Sequence, residues 1–385
     1  GVQEMDVVIN LTDEVSHLIE LQEIDTIHVE AVQDIVEEAL MQNNHLKVAK
    51  NYILYRERQT IKRQKHVLEE IKAKKLEIGT QEEGVELYNA DILEKKLVYL
   101  SQNLDYIQIS DIVEQVSRQI YKNIPKKDIH KVLLACVKEK IEKHYNYAYL
   151  ASRVAVDDLY RSILKQAWGS KSLNVEYKAQ FKDYIAKGIE LDMLDKSLAD
   201  FDCDQLANAF DISRDNLFKY LGMQILQDRY FLRDRSEERE IYELPQWFWM
   251  RVAMGLAKEE KDKEKQAIEF YHVLSKMDFV SSTPTLFNSG TTHSQMSSCY
   301  LNTVDDSLSG IFKNYSDNAQ LSKWAGGIGT DWTPVRASGS RIKGTNGLSQ
   351  GIIPFIKIFN DVALAVNQGG KRKGAMCAYL EVWHT

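Results

Sequence analysis

The chain has 385 residues, 44% of them hydrophobic and 27% charged, with a formal net charge of −7 at pH 7. That length suffices for two or three domains with a sizeable core, and the composition is ordinary for a soluble globular protein. The acidic balance argues against a nucleic-acid binder, whose affinity would rest on a broad basic surface. The absence of any apolar run of about 18 residues argues against a membrane helix.

The opening "GVQEMDVVINLTDE" lacks the basic and apolar blocks of a signal peptide. Four cysteines, Cys136, Cys203, Cys299 and Cys377, stand far apart. Such spacing suggests neither a disulfide framework nor a zinc site. No metal ligands are assigned, and a reducing cytoplasm is the expected compartment. The chain starts without Met and stops at "YLEVWHT", and we expect a piece of a longer product.

Residues 1 to about 165 are rich in Glu, Lys, Ile and Leu and hold a single proline, Pro125. "HVEAVQDIVEEALMQ" places Val29, Val32, Ile35, Val36 and Leu40 at helical spacing. A second helix, "HLKVAKNYILYRERQ", follows the polar "NN". The order recurs about 100 residues on, where "KKDIHKVLLACVKEKIEKH" precedes "YNYAYLASRVAVDDLYRSIL". This is read as two copies of one small helical module, the first lacking its beginning. From Arg58, "RQTIKRQKHVLEEIKAKK" predicts a charged helix that joins the copies through a solvated face. "LEIGTQEEGVELYN" has glycines at two turn-like positions and fits a short hairpin.

Helical signal continues from 170 to 275, where "QWFWMRVAMGLA" is apolar on most sides and should be deeply buried. Met250 and Met254 are read there as core. From 280 glycine becomes frequent, and the runs "SSCYL", "IIPFIKIF" and "AMCAYLEV" read as strands. The helix-like "LSGIFKNYSDNAQLSKWA" lies between them. The alternation predicts an α/β domain with mostly parallel strands.

Four segments there can carry chemistry. "STPTLFNSG" offers hydroxyls and backbone N–H groups at a Pro-Thr turn, suited to an anion or to an ordinary strand entry. "WAGGIGTDW" has paired glycines at a helix end, which permit close approach to a ligand or simply cap the helix. No full dinucleotide fingerprint is present. "VRASGSRIKGTNGLSQG" combines four glycines with Arg336, Arg341 and Lys343, as a flexible basic loop for a phosphate chain. "VNQGGKRKGAMCAYL" reads as a second anion-contacting loop leading into a strand. Two such loops flanking the acidic turn Asp305-Asp306 suggest a nucleotide. Cys377 and Cys136 are read as small buried residues.

Taken together, "SSCYLNTVDDSLSGIF", "LSKWAGGIGTDW", "RASGSRIKGTNGLSQG", "VNQGGKRKGA" and "YLEVWH" resemble the large, catalytic (α) subunit of class I ribonucleotide reductase over residues 245–384. The helical repeats resemble ATP-cones, the regulatory modules of that family. The second is degenerate, because no basic β-hairpin is evident before it. The resemblance implies α/β class: helical cone-like modules, a helical region and the first half of a ten-stranded α/β barrel. The expected divisions are 1–58 (partial cone), 59–83 (helical linker), 84–168 (second cone), 169–278 (helical region) and 279–385 (first part of the barrel).

By resemblance, Cys299 matches a redox-active cysteine that delivers reducing equivalents to the ribose. Thr285 and Ser298, with the backbones of Gly326 and Gly327, match contacts to the substrate diphosphate. Asp306 matches the acceptor for the sugar hydroxyl of the specificity effector. Arg336, Ile342 and Lys343 match the first specificity loop, and Gln368 and Arg372 the second. Ser307 opens the helix that builds the α–α interface. The family's thiyl-radical cysteine and its neighbours lie beyond the "WH" motif. The resemblance therefore implies no cofactor on this chain, a radical metallocofactor in a partner β subunit, and dNTP and ATP as effectors. It also implies a second α chain, the remaining C-terminal half of α, and thioredoxin or glutaredoxin as reductant. Two alternatives stay open: a non-catalytic nucleotide-binding protein, and a cobalamin-dependent reductase sharing the barrel and loops.

Overall fold

The computed structural model describes residues 2–20, 29–73, 75–79, 84–237, 239–323, 326–366 and 375–384. In chain order the first half contains α1 (Val2–Glu20), α2 (Val29–Gln42), α3 (Leu46–Lys72), β1 (Glu77–Ile78), β2 (Glu86–Leu87), α4 (Ala90–Leu100), α5 (Ile109–Gln119), α6 (Lys126–Glu139) and α7 (Asn146–Ile163). There follow α8 (Leu173–Ala179), α9 (Phe181–Glu190), α10 (Cys203–Asn208), α11 (Tyr220–Ile225), α12 (Pro245–Ala257), α13 (Lys263–Ser275) and α14 (Thr283–Asn288). The last part alternates β3 (Cys299–Thr303), α15 (Leu308–Lys323), β4 (Gly327–Asp331), β5 (Ser338–Arg341), β6 (Leu348–Gln350), α16 (Ile353–Ala365) and β7 (Met376–Tyr379). Residues 1–98 with 108–136 form one compact unit, and residues 99–107 with 137–385 form a second.

In the first unit, α2 buries Ile35, Ala39 and Leu40, and α5 buries Ile112 and Val116, the one-sided spacing of amphipathic helices. Arg56 on α3 reaches back to Asp34 (2.6 Å) and Glu37 (2.8 Å) on α2. The charged segment expected as a separate connecting helix is instead continuous with α3, one helix of 27 residues. No Pro or Gly interrupts it, so nothing locally stops the backbone ladder. The expected hairpin forms: β1 and β2 are antiparallel, with Glu77 opposite Leu87 and Ile78 opposite Glu86. Gly79 (φ +87°) and Gly84 (φ +81°) supply the left-handed backbone at its ends. Its strands carry glutamates rather than a basic face, and Lys122 and Lys126 pair with Glu77 (3.1 Å) and Glu86 (3.4 Å).

The second unit is built around α12. Pro245 lies in its first turn, where its missing N–H costs nothing. All but one of the helix's 13 residues are buried, Leu256 being the exception. Trp247 meets Tyr177 edge-on at 5.6 Å and stacks on Tyr184 at 5.0 Å. Arg251, also on this helix, is fully buried against Glu243, Nε to Oε1 2.7 Å. A second polar group is sealed nearby: Asp215 accepts from the Tyr160 hydroxyl of α7 and from Gln246 Nε2 (2.5 Å).

Beyond α14 the chain forms a three-stranded parallel sheet in the order β3-β4-β7. Helices α15 and α16 cover one face, where Val304, Ile311, Tyr315, Trp332, Val335, Ile352 and Phe359 make a compact core. The opposite face carries Cys299, Leu301, Gly327, Gly329, Cys377 and Tyr379, in register across the three strands.

Three expectations are corrected here. "IIPFIKIF" is not a strand but the start of α16. Ile352, Phe355, Ile356, Phe359 and Val362 all reach the α15/α16 core, a spacing of three and four residues that only a helix brings to one side. Cys377 is exposed, not buried. It alternates with Met376, which packs into the core, so the pleat turns Cys377 to the open face. Residues 335–351 are not an open loop: β5 and β6 pair antiparallel, with Ser338 opposite Gln350 and Arg341 opposite Leu348. Cys136 is fully buried, as read from its apolar helix position.

Candidate functional site

The first constellation lies at the start of β3. Its strand pairs with β4 so that Cys299 stands opposite Gly327, and the Gly327 N–H donates to the Ser298 carbonyl at 2.8 Å. A Cβ at Gly327 would lie 3.7 Å from the Cys299 sulfur, so the exposed thiol rests beside a strand position that carries no side chain. At Gly326 a Cβ would fall 2.2 Å from the Tyr300 ring. That position is closed to any larger residue unless the ring moves. Ser298 Oγ is 3.7 Å from the Cys299 Sγ.

Thr285 reaches the same segment from α14, where the Pro-Thr turn read as an anion contact or a strand entry is a single helical turn with Pro284 at its start. Its hydroxyl donates to the Met296 carbonyl at 3.4 Å, and Asn288 Nδ2 donates to the Gln295 carbonyl at 2.7 Å. These bonds lace α14 to the strand that enters at Ser298. Thr285, Ser298, Cys299, Gly326 and Gly327 are thus assembled by one helix and one strand pair. The arrangement offers hydroxyls, small residues and one accessible thiol.

The second constellation lies past the other end of β3. Cys299 and Thr303 are separated by roughly 13 Å of strand, so the two groups are distinct. Asp306 is held by Arg336, whose backbone N–H donates at 3.1 Å and whose Nε donates to both carboxylate oxygens at 3.0 Å. Burial lifts the Asp306 carboxyl, but the Arg336 hydrogen bonds and charge outweigh it and hold the group below the usual carboxylate range. Ser307 Oγ accepts from the Gly310 N–H at 3.0 Å and caps α15. Ile342 donates its N–H to Gly347 (2.9 Å) and accepts from Asn346 (3.0 Å), closing the β5–β6 turn. Lys343 is exposed on that turn. Gln368 and Arg372 lie outside the described residues. Sequence reasoning foresaw neither the Asp306–Arg336 pairing nor the buried Arg251–Glu243 pair; the charged residue inside the apolar run "QWFWMRVAMGLA" was the available signal for the latter.

Among the described residues, no cluster of three or more His, Cys, Asp or Glu side chains converges as metal ligands. No helix there is long and apolar enough to cross a membrane.

Comparison with known proteins extends these observations. A family model described as ATP cone domain matches residues 2–61. The ribonucleotide reductase all-alpha domain matches 216–294, and the ribonucleotide reductase barrel domain matches 297–385. The chain is 46% identical over 371 residues to the ribonucleoside-diphosphate reductase subunit alpha of Chlamydia muridarum, covering 93% of this chain and 34% of that protein. The Helicobacter pylori (strain 26695) protein of the same name is 40% identical over 286 residues, 74% of this chain and 35% of its own length. The large subunit of Monkeypox virus is 36% identical over 303 residues, 76% of this chain and 37% of that protein. The chain therefore spans little more than a third of the length of these relatives.

Proposed function

This chain belongs to the family of ribonucleotide reductase large subunits, and from that premise we propose that it supplies one thiol and the phosphate and effector contacts of a ribonucleoside-diphosphate reductase. The observation that carries this reading is the exposed Cys299 thiol beside Gly327, adjoining Ser298. In the overall reaction the ribose C2' loses its hydroxyl as water and gains hydrogen. Two thiols supply the two electrons and two protons and close to a disulfide. Cys299 is one of that pair, and its partner belongs to a part of the enzyme that these 385 residues do not contain.

Thr285, Ser298 and the Gly326 and Gly327 backbones hold the substrate diphosphate in this reading. Small residues matter because they let a phosphate approach the backbone closely. Asp306, Ser307, Arg336, Ile342, Lys343, Gln368 and Arg372 form the effector site, which takes a dNTP or ATP. The Asp306–Arg336 pair would open for an incoming sugar hydroxyl, leaving Arg336 free for phosphate. We propose the divisions 1–58, 59–83, 84–168, 169–278 and 279–385; the cone match at 2–61 overlaps the first, whereas the all-alpha match runs on to residue 294, past the proposed boundary at 278. The partners are a β subunit bearing the radical metallocofactor, a second α chain meeting the Ser307-capped helix, and a thioredoxin or glutaredoxin, all in the cytoplasm.

Replacing Cys299 by Ser in the intact enzyme should abolish turnover with a dithiol reductant while effector binding, followed by calorimetry, is retained. Turnover that survives the change, or loss of effector binding along with it, would sink the assignment.

A further inference from the structure

A cavity of about 390 Å³ in the second unit belongs to neither constellation. Its wall includes Asp228, Arg229, Tyr230, Arg233, Arg239 and Phe287. Its size is that of a small-molecule site, for which roughly 300–1,000 Å³ is usual. Three arginines and a single aspartate are among the residues that line it, in a chain whose overall charge is −7. Arg233 is fixed by two neutral acceptors, its Nη1 to the Arg239 carbonyl at 3.0 Å and its Nη2 to the Gln227 carbonyl at 2.8 Å. Those bonds set the plane of the guanidinium without cancelling its charge. No carboxylate among the described residues forms an ion pair with Arg229, Arg233 or Arg239.

The opposite character comes from an aromatic wall. Tyr230 and Phe287 stack with ring centroids 4.5 Å apart and planes 16° apart. The Tyr230 hydroxyl is 3.2 Å from Thr283 Oγ1, which ties the wall to α14. Residues Leu226–Tyr230 form a π-helical turn, a wide turn that occurs often at functional sites. It delivers Asp228, Arg229 and Tyr230 to the cavity in succession.

We propose that this cavity binds a small phosphate-bearing molecule with an aromatic ring, the phosphates meeting the arginines and the ring meeting the Tyr230–Phe287 wall. Guanidinium forks match phosphate oxygens in pairs, and a wall whose three arginines outnumber its one aspartate favours anions. The proposal does not depend on the assignment of Cys299 or of the effector site.

Hydrogen exchange of the intact protein tests it, because the readout localises to residues 226–242 whatever other sites a nucleotide occupies. Inorganic pyrophosphate and ATP are the probes. Pyrophosphate at millimolar concentration should slow exchange in this segment at least three-fold, and ATP should do so at about a ten-fold lower concentration. The double variant Arg229→Glu/Arg239→Glu should lose the protection while keeping its unfolding midpoint. If it fails to fold, Arg229→Gln should weaken the protection at least three-fold. Absence of protection by both probes, or protection undiminished in a folded variant, would overturn the site. ATP no better than pyrophosphate would overturn the aromatic contact.

Discussion

Arg251 and Glu243 form an ion pair in which neither side chain has any solvent exposure. Glu243 also accepts from the Tyr184 hydroxyl (2.5 Å) and the Leu232 N–H (3.1 Å), while Arg251 donates to the Ser289 carbonyl (2.7 Å). The pair thus ties α12 to α9, to the chain before α12 and to the end of α14. Arg251→Met should leave a buried carboxylate unpaired and cost about 3–5 kcal/mol, read as a fall in the urea midpoint. The double change Arg251→Met/Glu243→Gln should recover part of that loss, since no bare charge then remains.

Asp215 carries a pH dependence of definite sign. Burial pushes its carboxyl from 3.8 up to about 7, against the hydrogen bonds from Tyr160 and Gln246 that pull it down. Between those two values the folded chain holds a proton that the unfolded chain has released. Its contribution to stability therefore falls as pH rises from about 4 to about 7. Asp215→Asn should flatten that slope. Denaturation at pH 5 and pH 7.5 checks it: an unchanged difference between the two in the variant would exclude Asp215 as the source.

Gly326 has no room for a side chain. Alanine there would meet the Tyr300 ring at 2.2 Å, and displacing the ring should cost about 1–3 kcal/mol. Because Tyr300 follows Cys299 directly, the same change should alter the rate at which a disulfide reagent modifies Cys299. Measuring that rate in a Cys377→Ser background separates it from the other exposed thiol.

Asp306 is solvent-accessible, and exposed pairs such as Asp306–Arg336 contribute little to folding. Asp306→Asn should leave the melting temperature unchanged. On the proposed function it should weaken dTTP binding roughly ten-fold, as expected for a lost charge-assisted hydrogen bond. Calorimetry reads the change directly.

Ser307→Ala removes the acceptor for the Gly310 N–H and should cost about 1 kcal/mol through the start of α15. Thermal denaturation measures it, and Ser307→Asp should retain most of the cap.

Much of this fold was readable along the chain. The Cys299 strand, the hairpin between its two glycines, the buried "QWFWMRVAMGLA" helix and the helix after the acidic turn all follow from local period and turn chemistry. Where reading failed, the deciding information was elsewhere. "IIPFIKIF" is β-branched and aromatic, and its propensity for a strand concealed a three-four spacing that matters only once α15 supplies the opposing surface. Cys377 sits in a strand as expected, but which side of the pleat faces the helices depends on register with β4. The basic stretch at 335–351 has loop-like composition, yet Asn346 in the left-handed region (φ +55°) closes it into a hairpin. The candidate residues were located by motif, whereas their pairings, Asp306 with Arg336 above all, required three dimensions.

The uninterrupted α3 sets a ruler inside the first unit. Its outer turns carry mostly exposed charged side chains such as Glu57, Arg58, Lys62 and Lys65, so substitutions there disturb few contacts. Counting is another matter. Each inserted residue would advance everything beyond it by ~1.5 Å and swing it by ~100°. The hairpin and the helices that follow would then be turned together relative to α2, which Arg56 ties to the first half of α3. The segment tolerates changes of spelling but not of length.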